Sequence, residues 1–135
     1  MKKINFMPKA TVTLGPVDFG MTAVVGNHKV IIDEPVSNGG KDTGPSPTEY
    51  VCVALASCTT ATIKMYANRK QWKIESLRVD VEKTSAEGKN IFKRTLHIKG
   101  PLDGEQLNRL MQIANACPVH KILSQANTVE TVMGN

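Results

Sequence analysis

The sequence predicts an α+β fold, because alternating, strand-like runs stand on either side of one long helical stretch. The 135 residues are 41% hydrophobic and 21% charged, which is typical of a globular protein and not of a disordered chain. No internal repeat or long linker divides the sequence. We therefore expect one domain over residues 1–135, with a core that needs neither structural disulfides nor a structural metal.

The first third of the chain reads as three short strands. Ala10, Val12 and Leu14 alternate with polar residues, as in a strand with one face buried. Two apolar runs bounded by glycine follow at 21–25 and 28–33. Three strands are the simplest interpretation of these runs.

A loop and a long helix come next. Residues 37–47 are rich in glycine and proline, which is typical of a loop. Ser46 and Glu49 have the spacing of a capping box at a helix start. From 50 to 67 only Lys64 is charged, so we expect the helix to be buried on most of its circumference, between layers or subunits. A membrane span is the competing interpretation, disfavoured by the serine and threonines of the run.

The second half predicts a hairpin and two helices before a last strand. Alternation over 77–82 and 92–98, with a turn between them, indicates two paired strands. A capping box at Asp103 begins another helix, and Pro118 begins a short one. Residues 128–132 predict a final strand. The predicted order is therefore ββ(β)-α-ββ-α-α-β.

The net charge favours anionic partners only weakly. Seventeen Lys and Arg against twelve Asp and Glu give +5, but the basic residues are scattered and aromatic residues make up only 4%. A surface that binds nucleic acid would show clustered cations with interleaved aromatic side chains. Neither a nucleic-acid nor a membrane partner is expected.

The N-terminal segment and the cysteines bear on the cellular compartment. Residues 1–10 carry Lys2 and Lys3 without an apolar stretch behind them, which is unlike a secretory signal. Three cysteines, an odd number without framework spacing, fit a reducing compartment. We expect a cytoplasmic protein whose thiols are free.

Two of the three cysteines are candidates for chemistry. Cys58 lies mid-helix on an apolar face, where a free cysteine either packs as a small hydrophobe or, with a donor nearby, reacts. Cys117 precedes Pro118 at the N-cap of a short helix, where free N–H groups favour a thiolate. His120 is a candidate partner of that sulfur. Cys52 lies off the face of Cys58 and reads as structural. Without CxxC or HExxH spacing, neither a metal nor another cofactor is expected.

A family resemblance rests on two segments, GPSPTEYVCVALASCTTAT (44–62) and ACPVHKIL (116–123). They resemble the OsmC/Ohr family of osmotically inducible and organic hydroperoxide resistance proteins, closest to its OsmC-like branch. The resemblance implies antiparallel sheets packed around a long, buried central helix in an intertwined homodimer. It also implies a thiol peroxidase in which Cys58 is the peroxidatic cysteine and Cys117 the resolving cysteine. A dithiol reductant, in this family often a lipoylated protein, would then reduce the disulfide.

The sequence departs from the family at the residues that activate the peroxidatic thiol. The usual N-terminal arginine is missing, since the first arginine is Arg69, and the usual glutamate position is Thr48. Glu49, next to it, is a candidate catalytic carboxylate that its capping role already explains. Arg94 falls among the apolar positions of its strand. We hypothesise that Arg94, from this chain or across the dimer, faces Cys58 and lowers its pKa.

Three functions follow from these residues. The leading interpretation is a peroxidase that reduces organic hydroperoxides through Cys58 and Cys117. The alternative is a non-catalytic module that binds an apolar small molecule at the dimer interface, with both thiols merely packed. A third interpretation, disulfide exchange on other proteins, requires an exposed Cys117.

Overall fold

The structure, a computed structural model, describes residues 6–134. The reading of residues 1–10 therefore lies partly outside the described residues. The chain divides into two compact units, one ending at Val51 and one beginning at Cys52. Each unit is described by itself below, and the expectation of one domain over the whole chain stays a prediction.

The first unit contains the three predicted strands. β1 (Thr11–Leu14), β2 (Met21–Val25) and β3 (His28–Ile32) form an antiparallel sheet in the order β1-β2-β3. Ala23 and Ile32 are its buried apolar side chains. The alternation in the sequence places the strands, but Val12 and Leu14, which it predicts on a buried face, are exposed within one chain.

A buried carboxylate organises the loop after β3. The side chain of Asp33 accepts hydrogen bonds from the N–H groups of Glu34 at 2.7 Å, Thr43 at 3.2 Å and Lys41 at 3.4 Å. It also accepts a 2.6 Å bond from the hydroxyl of Thr43. A Cβ at Gly40 would overlap the carbonyl oxygen of Glu34, so only glycine fits there. The predicted loop is therefore well ordered.

Helix α1 (Pro47–Lys70) begins at the predicted capping box. The backbone N–H of Ser46 donates to Glu49 Oε1 at 3.0 Å, and the N–H of Glu49 donates to Ser46 Oγ at 3.4 Å. The helix extends to Lys70, three residues past the weakly charged stretch at 50–67. No helix in the described part of the chain is both long enough and apolar enough to cross a membrane.

One stripe of α1 is buried within the chain. It consists of Leu55, Thr59, Ile63, Tyr66 and Ala67. The opposite side is open, with Val53 and Met65 exposed by 52% and 70%. Within one chain the helix is therefore buried on one face only, and burial on most of its circumference stays a prediction that depends on a second copy.

The second unit contains the predicted hairpin. β4 (Ser76–Ala86) and β5 (Lys89–Lys99) pair antiparallel over their whole length. Glu87 and Gly88 turn the chain with φ angles of 52° and 77°, as a two-residue type I′ turn requires. Val81 faces Arg94 across the pair. The inward side chains alternate as predicted.

The remaining helices follow the predicted caps. α2 (Gly104–Ile113) starts at an Asp103 capping box, a short 3₁₀ turn follows at Ala114–Ala116, and α3 (Pro118–Leu123) starts at its proline. The core of this unit joins α1, α2 and the 3₁₀ turn through Ile63, Tyr66, Leu110 and Ala114.

The predicted last strand at 128–132 is wrong. These residues form no strand in the structure, and they are exposed. Apolar and β-branched side chains favour a strand only where a neighbouring strand offers its hydrogen-bonding edge. The described residues of one chain supply no such partner to this segment.

Candidate active site

The fold brings the two candidate thiols together. Cys58 lies in the middle of α1, and Cys117 lies between the 3₁₀ turn and α3. They lie close enough that a hydrogen bond between Cys58 and Cys117 shifts the pKa of both thiols. Cys117 is fully buried, whereas Cys58 is half-buried. The third interpretation from the sequence requires an exposed Cys117, and this side chain is buried within one chain.

Cys117 is surrounded by hydrogen-bond donors. As the N-cap of α3 its Sγ accepts the backbone N–H of His120 at 3.4 Å. Burial raises the pKa of the Cys117 thiol, but hydrogen bonds from Cys58, from the backbone of His120 and Val119 and from Thr59 outweigh it. The pKa of Cys117 therefore falls below its ordinary value.

The pKa of Cys58 shifts in the opposite direction. Burial raises the pKa of its thiol, and the hydrogen bond to Cys117 and the charge of Cys117 raise it further. The backbone N–H of Val119 and the hydroxyl of Thr62 lower it, but by less. In the reduced pair the proton therefore stays on Cys58, and Cys117 ionises first.

Arg94 reaches the site from β5, but not where the sequence hypothesis put it. Its Nη1 donates to Thr59 Oγ1 and to the carbonyl oxygen of Ala114, both at 3.1 Å. Its Nη2 donates to Asn115 Oδ1 at 2.9 Å. The hypothesis that Arg94 faces Cys58 and lowers its pKa is corrected for one chain, because the guanidinium points to Thr59 and the pKa of Cys58 is raised.

His120 contributes its backbone to Cys117 and its ring to a cavity. The cavity has a volume of about 270 Å³ and is lined by Leu55, Asn90, Phe92, His120, Leu123 and Ser124. Burial and the nearby charge of Arg94 lower the pKa of His120. The imidazole is therefore neutral near pH 7.

Glu49 is held in the capping box at the start of α1. Its carboxylate accepts the N–H of Ser46, and this bond, with one from the Ser46 hydroxyl, lowers the pKa of Glu49. Glu49 is ionised at neutral pH. A catalytic role for it stays a prediction.

Thr59 was not singled out by the sequence. It is fully buried, and its hydroxyl lies between Arg94, the carbonyl oxygen of Leu55 at 2.7 Å and the sulfur of Cys117. The available signal was a hydroxyl on the apolar stripe of α1, since a buried polar group needs a partner. Among residues 6–134 no group of three His, Cys, Asp or Glu side chains is placed to hold a metal ion.

The family model for OsmC-like protein matches residues 39–132. The chain belongs to the OsmC-like protein family. This match includes both cysteines, the start of α1 and Arg94. Comparison with the curated proteins gave no match.

Solved structures of OsmC and Ohr proteins have the same fold. An osmotic stress induced and detoxification response protein from Psychrobacter arcticus is 27% identical, with a TM-score of 0.75 over 88% of this chain and 90% of that one. An OsmC-like protein from Mycoplasma pneumoniae is 20% identical, with a TM-score of 0.78 over 90% and 89%. An organic hydroperoxide resistance protein from Legionella pneumophila is 21% identical, with a TM-score of 0.66 over 89% and 90%.

Proposed function

We propose that this OsmC-like protein is a cytoplasmic, homodimeric thiol peroxidase that reduces organic hydroperoxides through Cys58 and Cys117. The observation that carries the proposal is that each of these thiols, which come from distant parts of the sequence, shifts the pKa of the other through a hydrogen bond. A pair of thiols in contact is suited to forming a disulfide after one of them is oxidised. The similar protein from Legionella pneumophila is called an organic hydroperoxide resistance protein, which agrees with this substrate class.

In the first step the sulfur of Cys58 attacks the outer oxygen of the hydroperoxide. An S–O bond forms, the O–O bond breaks, and the alkoxide leaves and is protonated to an alcohol. Cys58 is the accessible member of the pair, since Cys117 is fully buried. It is therefore the peroxidatic cysteine of the proposal.

In the second step Cys117 attacks the sulfenic acid on Cys58. The S–S bond forms and water leaves, so one hydroperoxide has been reduced by two thiols. An external dithiol, of which a lipoylated protein is one example, then reduces the disulfide by exchange. No metal or other cofactor enters this cycle.

Thiol counting tests the pair. We expect a slight excess of cumene hydroperoxide to consume two thiols per chain in the reduced protein. Cys117→Ser should prevent disulfide formation, and Cys58→Ser should prevent both losses. Cys52→Ser is the matched control on the same helix and should leave the loss of two thiols unchanged. Survival of all three thiols would exclude the peroxidase.

A binding module remains the second candidate function. A cavity of about 420 Å³ lies beside Arg94 and is bordered mainly by apolar side chains, among them Leu96, Ile98 and Leu107. The raised pKa of Cys58 also favours a packed, unreactive thiol. Thermal stabilisation by an apolar ligand without any peroxide turnover would support this function over catalysis.

Glu49→Gln tests the carboxylate that the sequence named. Glutamine keeps an acceptor for the N–H of Ser46, so the capping box and stability should change little. We expect peroxide turnover by Glu49→Gln within about twofold of the wild type, since capping accounts for this side chain. A loss of about a hundredfold with unchanged stability would instead make Glu49 catalytic.

A further inference from the structure

We propose that Cys117 is the base that takes the proton from Cys58 as Cys58 attacks the peroxide, and that Thr59 and Arg94 position it. This inference rests on the proposed function and deepens it. In this chain the second cysteine does more than resolve the sulfenic acid. It replaces the activating arginine and glutamate that the sequence lacks at their usual places.

The first support is the number of donors around one buried sulfur. The N–H of His120 donates to Cys117 Sγ at 3.4 Å, and hydrogen bonds from Cys58, Thr59 and the backbone of Val119 help to lower the pKa of Cys117. A neutral thiol is a weak acceptor, whereas a thiolate binds donors strongly. This arrangement fits a sulfur that carries negative charge.

The second support is the charge of Arg94. The guanidinium is half-buried and donates to three neutral groups, Thr59, Asn115 and the carbonyl of Ala114. Within residues 6–134 it forms no ion pair with a carboxylate. A partly buried cation is stabilised by an anion nearby. Thr59, which accepts from Arg94, also hydrogen-bonds to Cys117, so a thiolate at Cys117 would place an anion one residue away from the guanidinium.

Thr59 connects the guanidinium to the sulfur. Its oxygen accepts from Arg94, so its single proton must point elsewhere, either to the carbonyl oxygen of Leu55 or to Cys117. A charged acceptor attracts the proton more strongly than a carbonyl. Arg94 also binds the carbonyl of Ala114, which accepts the N–H of Cys117 at 3.4 Å. Arg94 therefore holds the turn that carries the sulfur.

The other titratable and charged groups at the sulfur agree with this assignment. Cys58 on α1 and the backbone of His120 on α3 hydrogen-bond to the sulfur, and Arg94 on β5 donates to Thr59 beside it. His120 is neutral near pH 7, because burial and Arg94 both oppose its protonation. Of the two thiols, Cys117 is therefore the one whose pKa is lowered, and its thiolate can accept the proton of Cys58.

The proton and electron balance of the step is simple. The electron pair of Cys58 forms the S–O bond, its proton passes to the Cys117 thiolate, and the alkoxide leaves with the electrons of the broken O–O bond. Solvent protonates the alkoxide. Cys117, now a thiol, attacks the sulfenic acid, its proton leaves with the hydroxyl as water, and the disulfide forms.

Titration by the ultraviolet absorbance of thiolate tests the assignment without peroxide. We expect one thiol of the wild type to ionise below 9.0, the ordinary value for cysteine. Cys58→Ser keeps a hydroxyl donor and should retain that transition. Cys117→Ser should abolish it. A transition lost in Cys58→Ser and kept in Cys117→Ser would overturn the proposal.

Kinetics of the first oxidation step tests the base. In a single turnover, consumption of cumene hydroperoxide should be at least about tenfold slower in Cys117→Ser than in the wild type at neutral pH, because each protein is oxidised once at Cys58. Equal rates would mean that Cys117 only resolves, which overturns this inference and leaves the peroxidase standing. A wild type that consumes no peroxide would instead remove the proposed function itself, and titration would still locate the thiolate.

Matched variants of the positioning residues separate electrostatic from structural effects. Thr59→Val should raise the pKa of Cys117 by about one unit, a tenfold change in its ionisation equilibrium. Thr59→Ser keeps the hydroxyl and should leave this pKa unchanged. Arg94→Met should also raise it, and Arg94→Lys should restore part of the shift. If these variants lower only the melting temperature and leave the transition in place, Thr59 and Arg94 have no positioning role.

Discussion

Asp33 is a charged side chain in an almost solvent-free position, with 1% of its surface exposed. Thr43 is its main partner. The hydroxyl of Thr43 lowers the pKa of Asp33, burial raises it, and the N–H groups of Thr43, Glu34 and Lys41 lower it further. The carboxylate is therefore balanced by donors and holds the loop after β3 as an anion.

The acid stability of the protein should depend on Asp33. In the folded protein the pKa of Asp33 lies below the ordinary value of 3.8. The contribution of Asp33 to the free energy of unfolding is therefore complete above pH 3.8 and is lost as the pH falls through the pKa of the folded state. We expect urea unfolding to show this loss below about pH 4. Asp33→Asn should be less stable near neutral pH and less sensitive to acid. An identical acid dependence in the variant would contradict this role.

Arg94 shows how far a single residue can be interpreted from sequence. The alternation of β5 predicts that its side chain points to the apolar side, and it is half-buried there. Its partners Thr59, Ala114 and Asn115 lie on other elements. Strand periodicity gives the direction of a side chain but says nothing about which helix it meets.

At the scale of elements, local signals mark the helix starts and the hairpin turn. Capping boxes at Ser46 and Asp103 and the proline at 118 all begin helices. The turn at Glu87-Gly88 joins the two predicted strands. These signals work from sequence because each is completed within a few residues along the chain.

The end of α1 is closed by a residue that does not prefer its conformation. Gln71 has a φ of 60°, and the N–H of Trp72 bonds to the carbonyl oxygen of Ala67 at 2.8 Å, as in a Schellman motif. Gln71→Gly should raise the free energy of unfolding by about 0.5–1 kcal/mol, because glycine adopts this φ without a Cβ penalty. Urea titration measures the difference. Gln71→Ala keeps the Cβ, so an equal gain in that variant would contradict the explanation.

At the scale of the whole molecule, large apolar side chains remain exposed in both units. In the first unit they include Val12, Leu14 and Ile31, and in the second Val53 and Met65 on α1. Exposed apolar surface of this kind is typical of an interface between subunits. It supports the proposed homodimer, in which α1 would be buried on a second face.

Sedimentation or light scattering tests the dimer. We expect twice the mass of the 14.7 kDa chain at micromolar concentration. Met65→Glu should weaken association by about tenfold or more, because it places a charge on the exposed apolar side of α1. Lys64→Glu is the matched control at the preceding position of the same helix and should weaken association less. A monomeric wild type would exclude the interface.

The sequence by itself determined the α+β class, the α1 start, the hairpin, the caps of α2 and α3, and the two thiols as candidates. All of these follow from local periodicity, capping chemistry and turn residues, or from a motif read along the chain. The prediction of a strand at 128–132 was wrong, because strand pairing depends on a neighbouring strand that the local sequence does not specify. Only the tertiary structure decided that Cys117, and not Cys58, has the lowered pKa. That outcome depends on hydrogen bonds from α1 and α3 that meet at one buried sulfur.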